Sequence, residues 1–180
     1  MKIQNIGLII VAAIMLAACA KSADITQKQD YDFSNIQTYS LFPRESNFVD
    51  IQALTDVQRN GIELTIEKAM EEAGYEYKDW SESDMIISYF WVRRSLASLH
   101  KYNKAVGACL ACTTNEQNEL NKDIRTNNLI IDVLESERKR TVYRGVFPVD
   151  IEADHTSDEN LQEIITAVDN ILLSFPKRQN

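Results

Sequence analysis

The sequence predicts one α+β domain: a mainly antiparallel sheet of about five strands with two α-helices packed on one face, in the order β-α-β-β-β-β-α. Three observations predict it. Two segments, near residues 55–73 and 156–175, repeat apolar residues at helical spacing behind a capping signal. Around them lie short runs rich in Val, Ile, Tyr, Phe and Thr that stop at turn formers. A chain of 180 residues with 44% apolar and 26% charged content suits a single globular unit. With 5 glycines, 3 prolines and no internal repeat, it does not read as a low-complexity protein. The formal net charge of −8 leaves no basic excess to neutralise phosphates, so nucleic acid is excluded as a partner.

The chain opens MKIQNIGLIIVAAIMLAAC, with Lys2 followed by an apolar run of 13 residues from Ile6 to Ala18. A helix needs about 20 residues to cross roughly 30 Å of hydrocarbon, so the run has the proportions of a secretory signal peptide. Leu16-Ala17-Ala18-Cys19 resembles the bacterial lipobox, in which cleavage between Ala18 and Cys19 leaves the cysteine as a lipidated first residue. Each buried methylene contributes about 0.8 kcal/mol, and one acyl chain holds only marginally, so several chains make a lasting anchor. Loss of residues 1–18 removes Lys2 and no acid, taking the charge from −8 to −9. Ala20 follows the cysteine, where an Asp would favour retention in an inner membrane. The expected location is therefore the outer membrane, with the domain facing the periplasm. The expected cofactor list is empty apart from the covalent lipid on Cys19.

Residues 19–30 read as the lipidated cysteine and a flexible tether, 31–176 as the single periplasmic domain and 177–180 as a tail. The β-prone TYSLF before Pro43 predicts a first strand at 37–42. Thr55-Asp56-Val57-Gln58 forms a capping box. Ile62, Ile66, Ala69, Met70 and Ala73 then build one helical stripe ending at Gly74, with Arg59, Glu63, Glu67, Glu71 and Glu72 on a solvated face. Tyr75-Glu76-Tyr77 is a short strand. The run DMIISYFWV is apolar on both faces, which predicts a central strand covered from both sides. Residues 95–126 show no regular pattern and read as an irregular insertion. NNLIIDVLES and RKRTVYRGVFPVDI form a tight antiparallel hairpin, placing Leu129, Ile131 and Val133 on one face. Asp132, on the other, would meet Arg144 as a structural cross-strand charge pair. Thr156 and Glu159 cap a last helix whose stripe runs from Leu161 through Phe175 to Pro176.

These segments together, YDFSNIQTYSLF, EEAGYE, SDMIISYF, NNLIIDVLESERKRTVYRG and ITAVDNILLSFP, resemble a family of bacterial envelope lipoproteins carrying a domain of unknown function of the DUF4136 type. The resemblance covers most of the chain and departs at residues 95–126, where the family is usually shorter or richer in glycine and aromatics. It implies fold and location and transfers no catalytic residue.

The remaining chemistry is sparse. Cys109 and Cys112 in GACLACTT have the spacing of a redox motif or half a zinc site. In an oxidising compartment they would also suit a disulfide closing a small loop, or stay as separate thiols. The two histidines, His100 and His155, form no repeating ligand pattern, and His155 reads as a solvated loop residue. No nucleophile elbow, zinc-protease motif or phosphate-cradling glycine loop is present. The reading is a non-enzymatic lipoprotein that meets the membrane through its anchor and binds another envelope protein or an apolar ligand. Tyr89, Trp91, Tyr143 and Phe147 would supply that surface if they face away from the helices, and are core if the helices cover them. The rival readings are a CxxC redox or metal module and a periplasmic hydrolase without a recognisable motif.

Overall fold

The computed structural model describes residues 21–44, 52, 54–93, 96–108, 114–151 and 155–178. Ala18, Cys19, Cys109 and Cys112 lie outside the described residues.

Six strands form one sheet: β1 (Asp24–Gln27), β2 (Thr38–Leu41), β3 (Glu76–Tyr77), β4 (Met85–Val92), β5 (Asn128–Glu135) and β6 (Arg140–Pro148). Among the described residues four helices accompany them: α1 (Asp56–Glu72), α2 (Ala97–Ala105), α3 (Thr114–Asn121) and α4 (Ser157–Leu172). The strand order is β1-β6-β5-β4-β2-β3. The α+β class holds, but the sheet is mixed. β2 runs parallel to both β3 and β4, while β4-β5, β5-β6 and β6-β1 are antiparallel. The parallel part follows from α1, which carries the chain back along the sheet between β2 and β3 as a crossover requires.

The strand missing from the sequence reading is β1, inside the segment expected to be a tether. Asp24, Thr26 and Gln27 are exposed, and only Ile25 turns inward, so a polar edge strand left almost no apolar signal. It pairs with β6 from Asp24↔Val146 to Gln27↔Tyr143. The central strand is as expected, since every residue of β4 is buried between β2 and β5.

One face of the sheet carries the larger core. Met85, Ile87, Tyr89 and Trp91 of β4, with Leu129, Ile131 and Val133 of β5, meet Ile62, Ile66 and Met70 of α1 and Ile164, Val168 and Ile171 of α4. Both helices begin with complete capping boxes, at Thr55 with Gln58 and at Thr156 with Glu159. Gly74 sits just past α1 with φ of 92°, a left-handed conformation that costs glycine little. Gly145 is needed for a different reason. A Cβ there would lie 2.3 Å from Ile171 Cγ2, so the absent side chain lets α4 close on the sheet.

The opposite face is covered too. The segment expected to be irregular supplies α2 and α3. Leu99, Tyr102 and Val106 pack with Ile86, Phe90, Val92, Ile124, Ile130 and Leu134 in a second core. Phe90 and Tyr102 stack with centroids 4.7 Å apart. The spacing of Leu99, Tyr102 and Val106 is helical, but a stripe this short is hard to separate from chance. The helices lie on both faces, not on one.

Candidate functional site

The four aromatic residues expected as a partner surface are core. Tyr89, Trp91 and Phe147 are 5% exposed and Tyr143 is fully buried, all beneath α1 and α4. The alternation of β4 turns Tyr89 and Trp91 to the same face as Ile87, where the helices dock. Tyr143 donates its hydroxyl to Ile171 O at 2.5 Å, tying the sheet to α4. Burial raises its pKa well above the ordinary tyrosine range.

The supposed solvated face of α1 is also partly buried. Arg59 and Glu63 are 9% and 6% exposed. Glu63 accepts a hydrogen bond from the Tyr89 hydroxyl at 2.5 Å and another from Arg44 Nε at 2.8 Å, with a further contact from Arg44 Nη2. Arg44 Nη2 also donates to Asn60 Oδ1 at 2.8 Å, and Arg59 Nη1 reaches the Tyr89 hydroxyl at 3.4 Å. Desolvation raises the Tyr89 pKa, and the neighbouring Glu63 pushes it further the same way. The hydrogen bond to Glu63 raises that of Arg44. This cluster clamps the chain after β2 onto α1, which is a structural task.

At the opposite end of β2, Asp84 does a similar job. Its Oδ2 accepts from the backbone N–H groups of Gln37 and Thr38 and from the Thr38 hydroxyl, at 2.8 to 3.0 Å. Partial burial raises the carboxyl pKa, but these donors outweigh it and hold it below the ordinary value.

The most distinctive polar arrangement lies under α2. Asp132 and Arg144 are direct partners in the β5-β6 register, as the sequence predicts, and their side chains are fully buried and 4% exposed. Arg144 Nε donates to Asp132 Oδ1 at 2.8 Å and Nη2 to Oδ2 at 2.9 Å, a bidentate fork. The Tyr102 hydroxyl donates to Asp132 Oδ2 at 2.6 Å. Arg144 Nη2 also reaches Asn103 Oδ1 at 2.9 Å, and Asn103 Nδ2 donates to Asn121 Oδ1 at 2.9 Å, which links α2 to α3. Burial pulls the Arg144 pKa down, but Asp132 more than restores it. Burial first, then Asp132, drives the Tyr102 pKa far up, so its hydroxyl keeps its proton and donates. Sequence reasoning found the charge pair and missed its two partners, Tyr102 and Asn103. Tyr102 and Asn103 are adjacent on α2, and nothing local marks them as facing the sheet.

His100 is exposed, and His155 is half-buried ahead of α4 with its carbonyl accepting from Asn160. Among the described residues, no group of three His, Cys, Asp or Glu side chains could hold a metal ion. No described helix is long and apolar enough to cross a membrane.

Residues 23–177 match the model of a domain of unknown function, DUF4136. The structure is similar to that of a DUF4136 family protein from Bacteroides thetaiotaomicron, at 13% identity and a TM-score of 0.58, covering 84% of this chain and 93% of that one. A PDZ domain protein from Parabacteroides distasonis aligns at 12% identity and a TM-score of 0.48, over 87% of this chain and 36% of that one. A PelC dodecamer from Paraburkholderia phytofirmans aligns at 6% identity and a TM-score of 0.39, over 84% and 98% of the two chains. None of the curated proteins matches.

Proposed function

The chain belongs to the DUF4136 family, and from that premise we propose that it is a lipid-anchored protein of the bacterial cell envelope, tethered through Cys19 to the outer membrane with its domain in the periplasm. Its role on this reading is to bind or support another envelope component. The observation that carries it is the spacing between the lipobox-like LAAC and the first strand: β1 begins at Asp24, five residues after Cys19. A link of that length reaches at most about 17 Å when fully extended. The domain is then held close to the bilayer, where a strand of the sheet and the anchor are almost continuous in sequence.

Metabolic labelling with a palmitate analogue tests the anchor. The wild-type chain should take the label and fractionate with outer membrane, and Cys19→Ala should lose both properties. An unlabelled wild-type chain recovered in the soluble periplasm would overturn the proposal. In-cell crosslinking of the two forms then tests the binding role. A defined envelope protein captured only by the anchored form supports it, whereas recovery of abundant porins alone from both forms contradicts it.

A further inference from the structure

The sheet ends on one side in β1, and the edge that β1 leaves open has a defined register. The Lys28 N–H donates to Val142 O at 2.9 Å, continuing the ladder in which Asp24 stands opposite Val146 and Thr26 opposite Arg144. In an antiparallel ladder the bonding direction alternates, so the backbone groups of Asp24, Thr26 and Lys28 face β6 and those of Ile25 and Gln27 point outward. Asp24, Thr26, Gln27 and Lys28 are exposed. Open edges of this kind are commonly blunted by proline, a bulge or charges that repel a second strand. β1 has no proline and holds one unbroken register. Its two charges are Asp24 and, just past its end, Lys28, and among the described residues neither has an ion-pair partner.

We propose that β1 pairs with β1 of a second copy of this chain, antiparallel about a two-fold axis at Thr26. Only the outward-facing residues can exchange backbone bonds across the new seam, so the axis must fall on a residue of β1, and the charges select which. An axis at Asp24 sets Asp24 against Asp24 of the second copy, and one at Gln27 sets it against Asp30, like charges in both cases. An axis at Ile25 leaves Asp24 and Lys28 opposite Thr26 and Ser22, unmatched. At Thr26, Asp24 of each copy meets Lys28 of the other, Thr26 meets Thr26, and Ile25 exchanges its backbone bonds with Gln27. Opposite charges and threonine pairs directly across antiparallel strands are favourable, and these positions are the closely spaced ones, with Cα atoms about 4.5 Å apart. The two sheets then continue as one. The pairing needs no lipid on Cys19.

A seam this short forms a weak dimer, so covalent trapping tests it. Thr26→Cys is oxidised in the detergent-solubilised full chain carrying Cys109→Ser and Cys112→Ser. The Cα spacing of about 4.5 Å lies inside the range of roughly 4.4–6.8 Å that a disulfide spans. A disulfide-linked dimer is expected from Thr26→Cys and at least about tenfold less from Ser22→Cys, which stands opposite Asp30 of the second copy and far from its own counterpart. Adding Asp24→Lys should reduce trapping about tenfold, and adding Lys28→Asp to that variant should restore it. All these residues are exposed, and circular dichroism checks the fold. Should the Cys109→Ser, Cys112→Ser form not fold, analytical ultracentrifugation of the chain with its own cysteines reads the same charge swap at hundreds of micromolar: dimer, monomer with Asp24→Lys, dimer with both reversals. Equal trapping at Thr26 and Ser22, trapping indifferent to Asp24→Lys, no rescue by the second reversal, or a monomer throughout would overturn the proposal.

Discussion

The two faces of the sheet are built on different principles. Under α1 and α4 lies the larger, mostly apolar core, with two long, boxed helices, the Glu63 cluster against Tyr89, and aromatic contacts such as Phe33-Phe175 and Tyr143-Phe175, at 5.5 and 5.0 Å. Under α2 lies a smaller core accompanied by the buried Asp132-Arg144 pair, and the N-cap of α2, Leu96, offers no side-chain cap. The larger layer draws its stability from area, since each buried aliphatic side chain contributes roughly 1.5–3 kcal/mol. The smaller layer draws its order from directional bonds: Asp132 and Arg144 hold Tyr102 and Asn103, and through Asn103 the contact reaches Asn121. Buried pairs of this kind add little net stability but are costly to break, because the survivor remains charged and unpaired.

The sharpest way to break the comparison is Asp132→Leu, which strands Arg144 in the interior. A loss of about 3–5 kcal/mol in urea unfolding is expected, and a loss below 1 kcal/mol, the level of a surface pair, would remove the distinction between the layers. On the other face the vulnerable point is space. Gly145→Ala pushes a methyl group against Ile171 and should cost about 1–3 kcal/mol while leaving the pair beneath α2 intact. A smaller effect is expected at the start of α1, where Thr55→Ala removes the side-chain acceptor for the Gln58 N–H and should cost about 0.5–2 kcal/mol. Both losses are read as shifts in the urea midpoint at unchanged slope.

The smallest effect concerns pH and belongs to the parallel edge shared by β2 and β4. The Asp84 carboxyl is held below its ordinary pKa in the folded chain, so its contribution is fully present above about pH 4. It fades as the pH falls through the depressed value, where the proton displaces the donors of Gln37 and Thr38. Asp84→Asn should therefore flatten the decline of stability below pH 4, measured by thermal melting across that range. A decline of equal steepness in both forms would show that other carboxylates carry it.

The same contrast explains what was legible in the sequence. Long elements whose burial has a period could be read: the stripes of α1 and α4, both capping boxes, the doubly apolar β4 and the β5-β6 hairpin with its Asp132-Arg144 pairing. Elements that depend on tertiary contacts could not. β1 is polar and exposed, and it exists because β6 offers an edge to pair with. α2 contributes Leu99 and Tyr102 to its core, joined by Val106 at its C-cap, and its Tyr102 and Asn103 bond to strands distant in sequence. Tyr89 and Trp91 could not be assigned to a surface without knowing which face the helices cover. Arg59 and Glu63 look solvated on α1 until Arg44 and Tyr89 close over them.

The central claim, that the smaller layer is organised by its ion pair, is tested most directly by a double-mutant cycle in urea. Asp132→Leu and Arg144→Met alone should each cost about 3–5 kcal/mol, and the double variant should lose clearly less than the sum, because apolar side chains then replace both charges. Single losses that simply add to within about 0.5 kcal/mol would mean the two residues act independently, and the account of the second layer would fail.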